Sequence, residues 1–142
     1  MAANYKPKFR SVSMLANSSS LKDINLSNNV EMNTEDAKAL GISTGDKVKV
    51  IPATGGEFEG TALVREGIAK GTIGVAYGYG HWEYGAKAFA IEGNEDKSEK
   101  ERGQGFHLIS ITDPSIDGIF GFSEVSTGGP SRNGGAYKVQ KL

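Results

Sequence analysis

The chain has 142 residues and a formal net charge of −1. That length fits one domain with a real hydrophobic core, and that charge gives no field to draw the chain onto nucleic acid or anionic lipid. No run approaches about 18 consecutive apolar residues, so neither a spanning helix nor direct membrane contact is expected. With no cysteine and only His81 and His107, the chain offers no disulfide, thiolate or iron–sulfur ligand set, and metal-binding residues are not expected.

Glycine is abundant, with 20 residues against an ordinary usage of about 7%. Tight turns and close approaches of the main chain are therefore frequent, which favours a β-rich fold with elaborate loops. The first eleven residues are basic without an apolar core behind them, so they do not read as a signal peptide. A short strand is predicted over residues 8–12, followed by the polar run Asn17, Ser18, Ser19, Ser20 and a brief helix near Leu21. The strongest local signal is Asn33-Thr34-Glu35-Asp36-Ala37-Lys38-Ala39-Leu40-Gly41-Ile42. Asn33 suits a helix N-cap, Glu35 and Asp36 face the positive end, and Gly41 suits a left-handed C-terminal cap with Ile42 folding back onto Ala37.

Gly45-Asp46 then turns into a strand over residues 47–51, in which lysine and valine alternate. Thr54-Gly55-Gly56 predicts a hairpin into residues 57–66, with Phe58, Ala62 and Val64 on one face. Residues 72–77 read as a buried strand. Residues 93–105 mix both charge signs without an apolar interruption and predict a mobile, solvated loop. A strand is expected at 106–111, an irregular apolar stretch at 119–125, a second glycine-rich loop at 126–135 and a final strand at 136–139. Short strands between glycine turns close naturally into a small barrel, which leaves no long exposed edge.

Three segments carry groups suited to a ligand. In the first, Arg10 offers a planar fork of donors for a diphosphate and Ser11 and Ser13 add hydroxyls, although a surface strand with a serine-rich loop has the same composition. The second, residues 74–86, gathers four glycines, three tyrosines, His81 and the only tryptophan, Trp82. Glycine lets the main chain approach a flat ligand, and aromatic rings stack on it; the same residues also describe a tight loop whose rings fill a core. In the third, Arg132 and Asn133 sit on a glycine frame before Lys138, a pattern for a phosphate or purine edge and equally for a flexible loop. No GxSxG elbow or motif pairing a base with a nucleophile supports a hydrolase.

The segment 33–42, continued by Gly45-Asp46-Lys47-Val48-Lys49-Val50, resembles the NPEDAxxLGIxxGDxVxV pattern of molybdopterin-dinucleotide-binding domains. These domains close the C-terminus of the dimethyl sulfoxide reductase superfamily, and the resemblance implies a mainly β fold with short helices, a six-stranded double-psi β-barrel. Residues 9–18 are similar to the family's phosphate- and ribose-binding loop, and residues 77–86 to the loop over the pterin. The form Gly78-Tyr79-Gly80-His81-Trp82-Glu83-Tyr84-Gly85-Ala86 looks most like the tetrathionate reductase catalytic-subunit branch, as does the tail over residues 126–142. The resemblance covers nearly the whole chain and implies one cofactor-binding domain over residues 1–142.

By the same resemblance, Arg10, Ser11, Ser13, Met14 and Asn17 are expected at the nucleotide and phosphates of molybdopterin guanine dinucleotide. Gly80, His81 and Trp82 are expected towards the pterin, and Arg132, Asn133 and Lys138 on the other side. One departure stands out: Ile109-Ser110-Ile111 precedes Thr112-Asp113-Pro114, where many members have an asparagine. The molybdenum or tungsten is expected to be carried by the cofactor, with its protein ligand supplied by other domains or subunits, including an iron–sulfur part, so no turnover is expected from this chain alone. The parent enzyme is expected to be soluble, either cytoplasmic or exported with its cofactor. Met1 lying close to the first strand is compatible with a piece of a longer chain and equally with a small subunit. The competing reading is a double-psi protein-interaction module, like an ATPase substrate-binding domain. A pyruvoyl decarboxylase on the same barrel would need a Gly-Ser bond, which the sequence lacks.

Overall fold

Local chemistry and element boundaries agree best around the short helix. A computed structural model describes residues 1–9, 21, 24, 25, 27–53, 56–80, 90, 91, 93–95, 105, 106, 126 and 135–142. Its elements are β1 (Ala2–Tyr5), β2 (Val30–Met32), α1 (Thr34–Leu40), β3 (Lys47–Pro52), β4 (Phe58–Val64), β5 (Ile73–Ala76), β6 (Ala90–Ile91), β7 (Asn94–Glu95) and β8 (Tyr137–Lys141). The Asn33 side chain accepts the Glu35 N–H at 2.8 Å, and Gly41 closes α1 with φ 65°. Ile42 N–H reaches the Ala37 carbonyl at 2.8 Å and Gly41 N–H reaches Lys38, the paired bonds of a Schellman end.

The helix N-terminus is tied to the turn that precedes β5. Asn33 Nδ2 donates to the Ile68 carbonyl at 2.8 Å, Asp36 accepts the Gly71 N–H at 2.6 Å, and Lys70 pairs with Glu35. At the other end, Asp46 accepts the Ser43 N–H and is joined by Lys141 Nζ at 2.5 Å, which fastens the end of β8 to the turn after α1.

The chain divides into two compact units: Met1–Tyr5 with Asn29–Val75 and Leu108–Leu142, and Lys6–Asn28 with Ala76–His107. The first holds a six-stranded sheet in the order β1-β5-β2-β4-β3-β8. Strand β2 runs parallel to β4 and antiparallel to β5, and β3 runs antiparallel to both β4 and β8. The Lys-Val alternation of β3 puts Val48 and Val50 inside with no exposed surface, opposite Gly60 and Phe58. Val30, Met32, Ala62 and Val75 complete the core, each of the larger side chains contributing roughly 1.5–3 kcal/mol on burial. β5 is buried at every position, as its unbroken apolar sequence requires.

The architecture is therefore mainly β with one short helix among the described residues, and the expected hairpin β3–β4, buried strand β5 and closing strand β8 are all present. The sheet order has β1 and β8 at its ends, with Ala2 N–H donating to the Gly135 carbonyl at 3.2 Å just ahead of β8.

Other expectations are corrected. The N-terminal strand described lies at Ala2–Tyr5; of the strand expected over residues 8–12, Lys8 and Phe9 form a turn, and residues 10–12 lie outside the described residues. Pro7 lacks an N–H for the ladder and stops the strand ahead of it. Residues 93–105 do not form one continuous loop, because Asn94 and Glu95 pair with Ile91 and Ala90 in the second unit. Gly93, at φ 80°, makes that two-residue turn possible. The brief helix expected near Leu21 fits what is described there, since Leu21 is helical and its carbonyl accepts from both Ile24 and Asn25. Phe106 is in no regular element; residues 107–111 and the apolar stretch 119–125 lie outside the described residues.

Candidate functional site

The glycine-aromatic segment leaves the sheet at the end of β5. Gly78 has φ 89° and Gly80 φ 75°, a left-handed conformation that a residue with a Cβ adopts only at a cost. Tyr79 between them is fully buried, while Tyr77 and Gly80 are half-buried. The loop thus alternates an anchored ring with glycine backbone, and Gly80, the expected pterin neighbour, stands at its described end.

What holds this loop was not evident from the sequence. Asn28, 3% exposed, donates through Nδ2 to the Ala76 carbonyl at 2.8 Å and to the Phe106 carbonyl at 2.9 Å. Its Oδ1 accepts the Phe106 N–H at 3.0 Å. All three segments belong to the second unit. The only sequence signal was the polar triplet Ser27-Asn28-Asn29, which reads as an ordinary loop.

Lys138 belongs to the first unit. It is exposed on β8, opposite Ile51 of β3, and its ammonium is available to an anion. It rims an apolar groove of about 380 Å³ whose walls include Met32, Leu40, Ile73, Tyr137 and Val139. Burial pushes the Tyr137 phenol above its ordinary pKa of 10.0, so this hydroxyl stays protonated as a donor at neutral pH. Arg10, Ser11, Ser13, Met14, Asn17, His81, Trp82, Arg132 and Asn133 lie outside the described residues.

A buried charged position was missed as well. Glu31, 5% exposed in the middle of β2, accepts the Tyr5 hydroxyl at 2.5 Å and pairs with Arg65 at 3.2 Å. Its carboxylate is used up by these contacts, which marks it as an anchor of the sheet. Among the described residues no group of three or more His, Asp or Glu side chains converges to hold a metal ion. Each unit by itself offers one feature: the second a glycine loop with positive φ, of a kind that can approach a flat ring, and the first an exposed ammonium of a kind that can meet a phosphate. Both fit a pterin dinucleotide.

The chain is 36% identical over 92 residues to a selenate reductase subunit from Mesobacillus selenatarsenatis, covering 56% of this chain and 9% of that protein. It is 25% identical over 124 residues to a tetrathionate reductase subunit from Salmonella typhimurium, covering 86% of this chain and 12% of that protein. The chain thus spans about a tenth of the length of these curated relatives. The solved structure of acetylene hydratase from Pelobacter acetylenicus superposes with a TM-score of 0.72 over 99% of this chain and 18% of that one; at 14% identity this likeness concerns the fold. The family model described as molydopterin dinucleotide binding domain matches residues 2–119, and the chain belongs to that family.

Proposed function

We propose that the chain binds and orients molybdopterin guanine dinucleotide as a domain or small subunit of a larger molybdenum or tungsten oxidoreductase. The observation that carries this reading is the family match over residues 2–119, which spans both the Arg10–Asn17 segment and the glycine loop. The bound cofactor supplies the metal and its redox chemistry. The chain's own residues hold it: Arg10, Ser11, Ser13, Met14 and Asn17 at the nucleotide and phosphates, Gly80, His81 and Trp82 towards the pterin, and Arg132, Asn133 and Lys138 on the other side. The exposed ammonium of Lys138 and the positive φ of Gly80 support their part of that assignment. Residues 1–142 act as one cofactor-binding domain.

The six strands close, in this reading, into a double-psi barrel. The parallel β2–β4 pair and the Ala2–Gly135 hydrogen bond support closure. As the family resemblance implies, the remaining domains or subunits supply the metal ligand and an iron–sulfur part; this sequence has no cysteine to ligate either. The parent enzyme reduces a sulfur compound or oxyanion, tetrathionate first among them, a reading supported by the tetrathionate and selenate reductase relatives.

The test is an NMR titration of the labelled chain with GDP and with intact molybdopterin guanine dinucleotide. Saturable shifts grouped at residues 10–17, 80–82 and 132–138 are expected. A folded protein without shifts at about millimolar ligand, a concentration that reaches even binding of about −4 kcal/mol, refutes the reading and favours a protein-interaction module.

A further inference from the structure

We propose that Asn28, with Gly105 packed against it, is the positioning residue for the glycine loop over residues 77–80, and that it sets how this loop meets the pterin end of the cofactor. The inference rests on the cofactor-binding reading above and adds residues outside every segment assigned to the ligand so far.

The Asn28 carboxamide behaves like a piece of neighbouring backbone. Through Oδ1 and Nδ2 it engages both the N–H and the carbonyl of Phe106, at 3.0 and 2.9 Å, the two-bond exchange that one strand makes with another. Its second N–H goes to the Ala76 carbonyl at 2.8 Å. Two donors and one acceptor are thus matched to two carbonyls and one N–H, and the opposite orientation of the amide would set donor against donor and acceptor against acceptor. Ala76 is the last residue of β5, so the bond fixes the main chain where the glycine loop begins.

Gly105 makes the arrangement possible. Its φ is +84°, and a Cβ there would meet the Asn28 side-chain oxygen and lie 3.1 Å from the Cβ of Tyr79. Asn28, Ala76, Tyr79 and Phe106 are each less than a tenth exposed, so they form a buried footing in the second unit. The footing pins the loop at its entrance through Ala76 and at its middle through Tyr79. Gly78, itself buried, and Gly80, half-buried at the described end of the loop, are both held in the left-handed conformation, and Gly80 is the one presented. A residue with a purely architectural role would change stability and leave the affinity of the folded protein alone. A positioning residue changes affinity for the pterin end and spares the nucleotide end.

The experiment compares the wild-type 142-residue chain with N28D and G105A, using GDP and intact molybdopterin guanine dinucleotide as separate probes in NMR titrations. Aspartate retains an oxygen for the Phe106 N–H but loses both donors. Both variants should bind the intact cofactor about tenfold more weakly while GDP affinity stays within about twofold. Cofactor-induced shifts should fade at residues 77–80 and persist at 10–17. A folded N28D or G105A with wild-type affinity for the intact cofactor overturns the inference and leaves the binding function standing. A folded wild type that binds neither probe overturns both. Should neither variant fold, amide exchange in the wild type decides: cofactor is expected to slow exchange at Phe106 together with Gly78 and Gly80, and unchanged exchange there overturns the proposal.

Discussion

Replacing Glu31 with glutamine removes a negative charge from the middle of the sheet while keeping the side chain's shape. Strand β2 has β5 on one side and β4 on the other, and Glu31 faces Gly74 in the β5 register. A Cβ at position 74 would lie 3.4 Å from the Glu31 Cβ and 3.0 Å from Ile68 Cδ1, so there is little room for the carboxylate to move aside. Two interactions change in Glu31→Gln. The bond from the Tyr5 hydroxyl falls from charge-assisted to neutral, a loss of about 1 kcal/mol. The pair with Arg65 is lost; because the Arg65 side chain is 53% exposed, screening limits that share to about 1 kcal/mol. The sum is about 2 kcal/mol, which with a urea m-value of about 2 kcal/mol/M lowers the denaturation midpoint by about 1 M. Tryptophan fluorescence through Trp82 together with far-UV circular dichroism follows the transition. A midpoint shift below about 0.3 M at unchanged m would refute the argument that this carboxylate is a paired, buried anchor. A double-mutant cycle with Arg65→Met separates the ion pair from the tyrosine bond and should return a coupling of about 1 kcal/mol.

Two further expectations concern the helix and its neighbours. Asn33→Ala removes both the cap on the Glu35 N–H and the bond to Ile68, and should cost about 1–2 kcal/mol in thermal or urea unfolding. The Asp46 carboxyl is held below its ordinary pKa of 3.8, first by the hydrogen bond from Lys141 and then by the Ser43 N–H. A carboxylate whose folded pKa is lowered contributes stability above the unfolded value, and that contribution disappears as pH falls through the folded one. The wild type should therefore lose stability below about pH 4 more steeply than Asp46→Asn does, when urea midpoints are measured across the acid range; parallel curves would refute the linkage.

How far the sequence reaches depends on whether a signal is local. Helix α1 is encoded within ten residues: Asn33 supplies the cap, and Gly41 takes the one conformation that ends the helix cleanly. Strand β3 likewise declares itself by alternating lysine and valine, and its partner β4 follows within a short turn. Strand β2 carries no such pattern. Val30, Glu31 and Met32 are all buried, so the period of two disappears, and the middle residue is an acid. Glu31 reads as a surface residue until Tyr5 and Arg65 are brought beside it, and they lie 26 and 34 positions away. Strand β1 is equally silent, since Ala-Ala-Asn-Tyr owes its place to pairing with β5 rather than to its own propensity.

The candidate site divides in the same way, and the division explains what a reading of composition can and cannot find. Gly80 and Lys138 can be proposed from the sequence because the chemistry that would suit them to a ligand is written in their own side chains, or in the lack of one. Asn28 cannot be, because its partners lie 48 and 78 residues further along and only the folded chain brings them to it. An asparagine in a polar triplet gives the same local signal whether it faces water or completes a buried ladder. Groups that touch a ligand are selected for what they are, whereas groups that hold those groups in place are selected for where the topology puts them. A glycine loop offers an approach to a flat ring only if its flexibility is removed elsewhere, and a loop with φ above zero at Gly78 and Gly80 has much flexibility to remove. If the loop meets the cofactor as proposed, the buried carboxamide at Asn28 and the fully buried ring of Tyr79 supply that restraint in advance of binding, and the ordering cost is not met when the cofactor arrives.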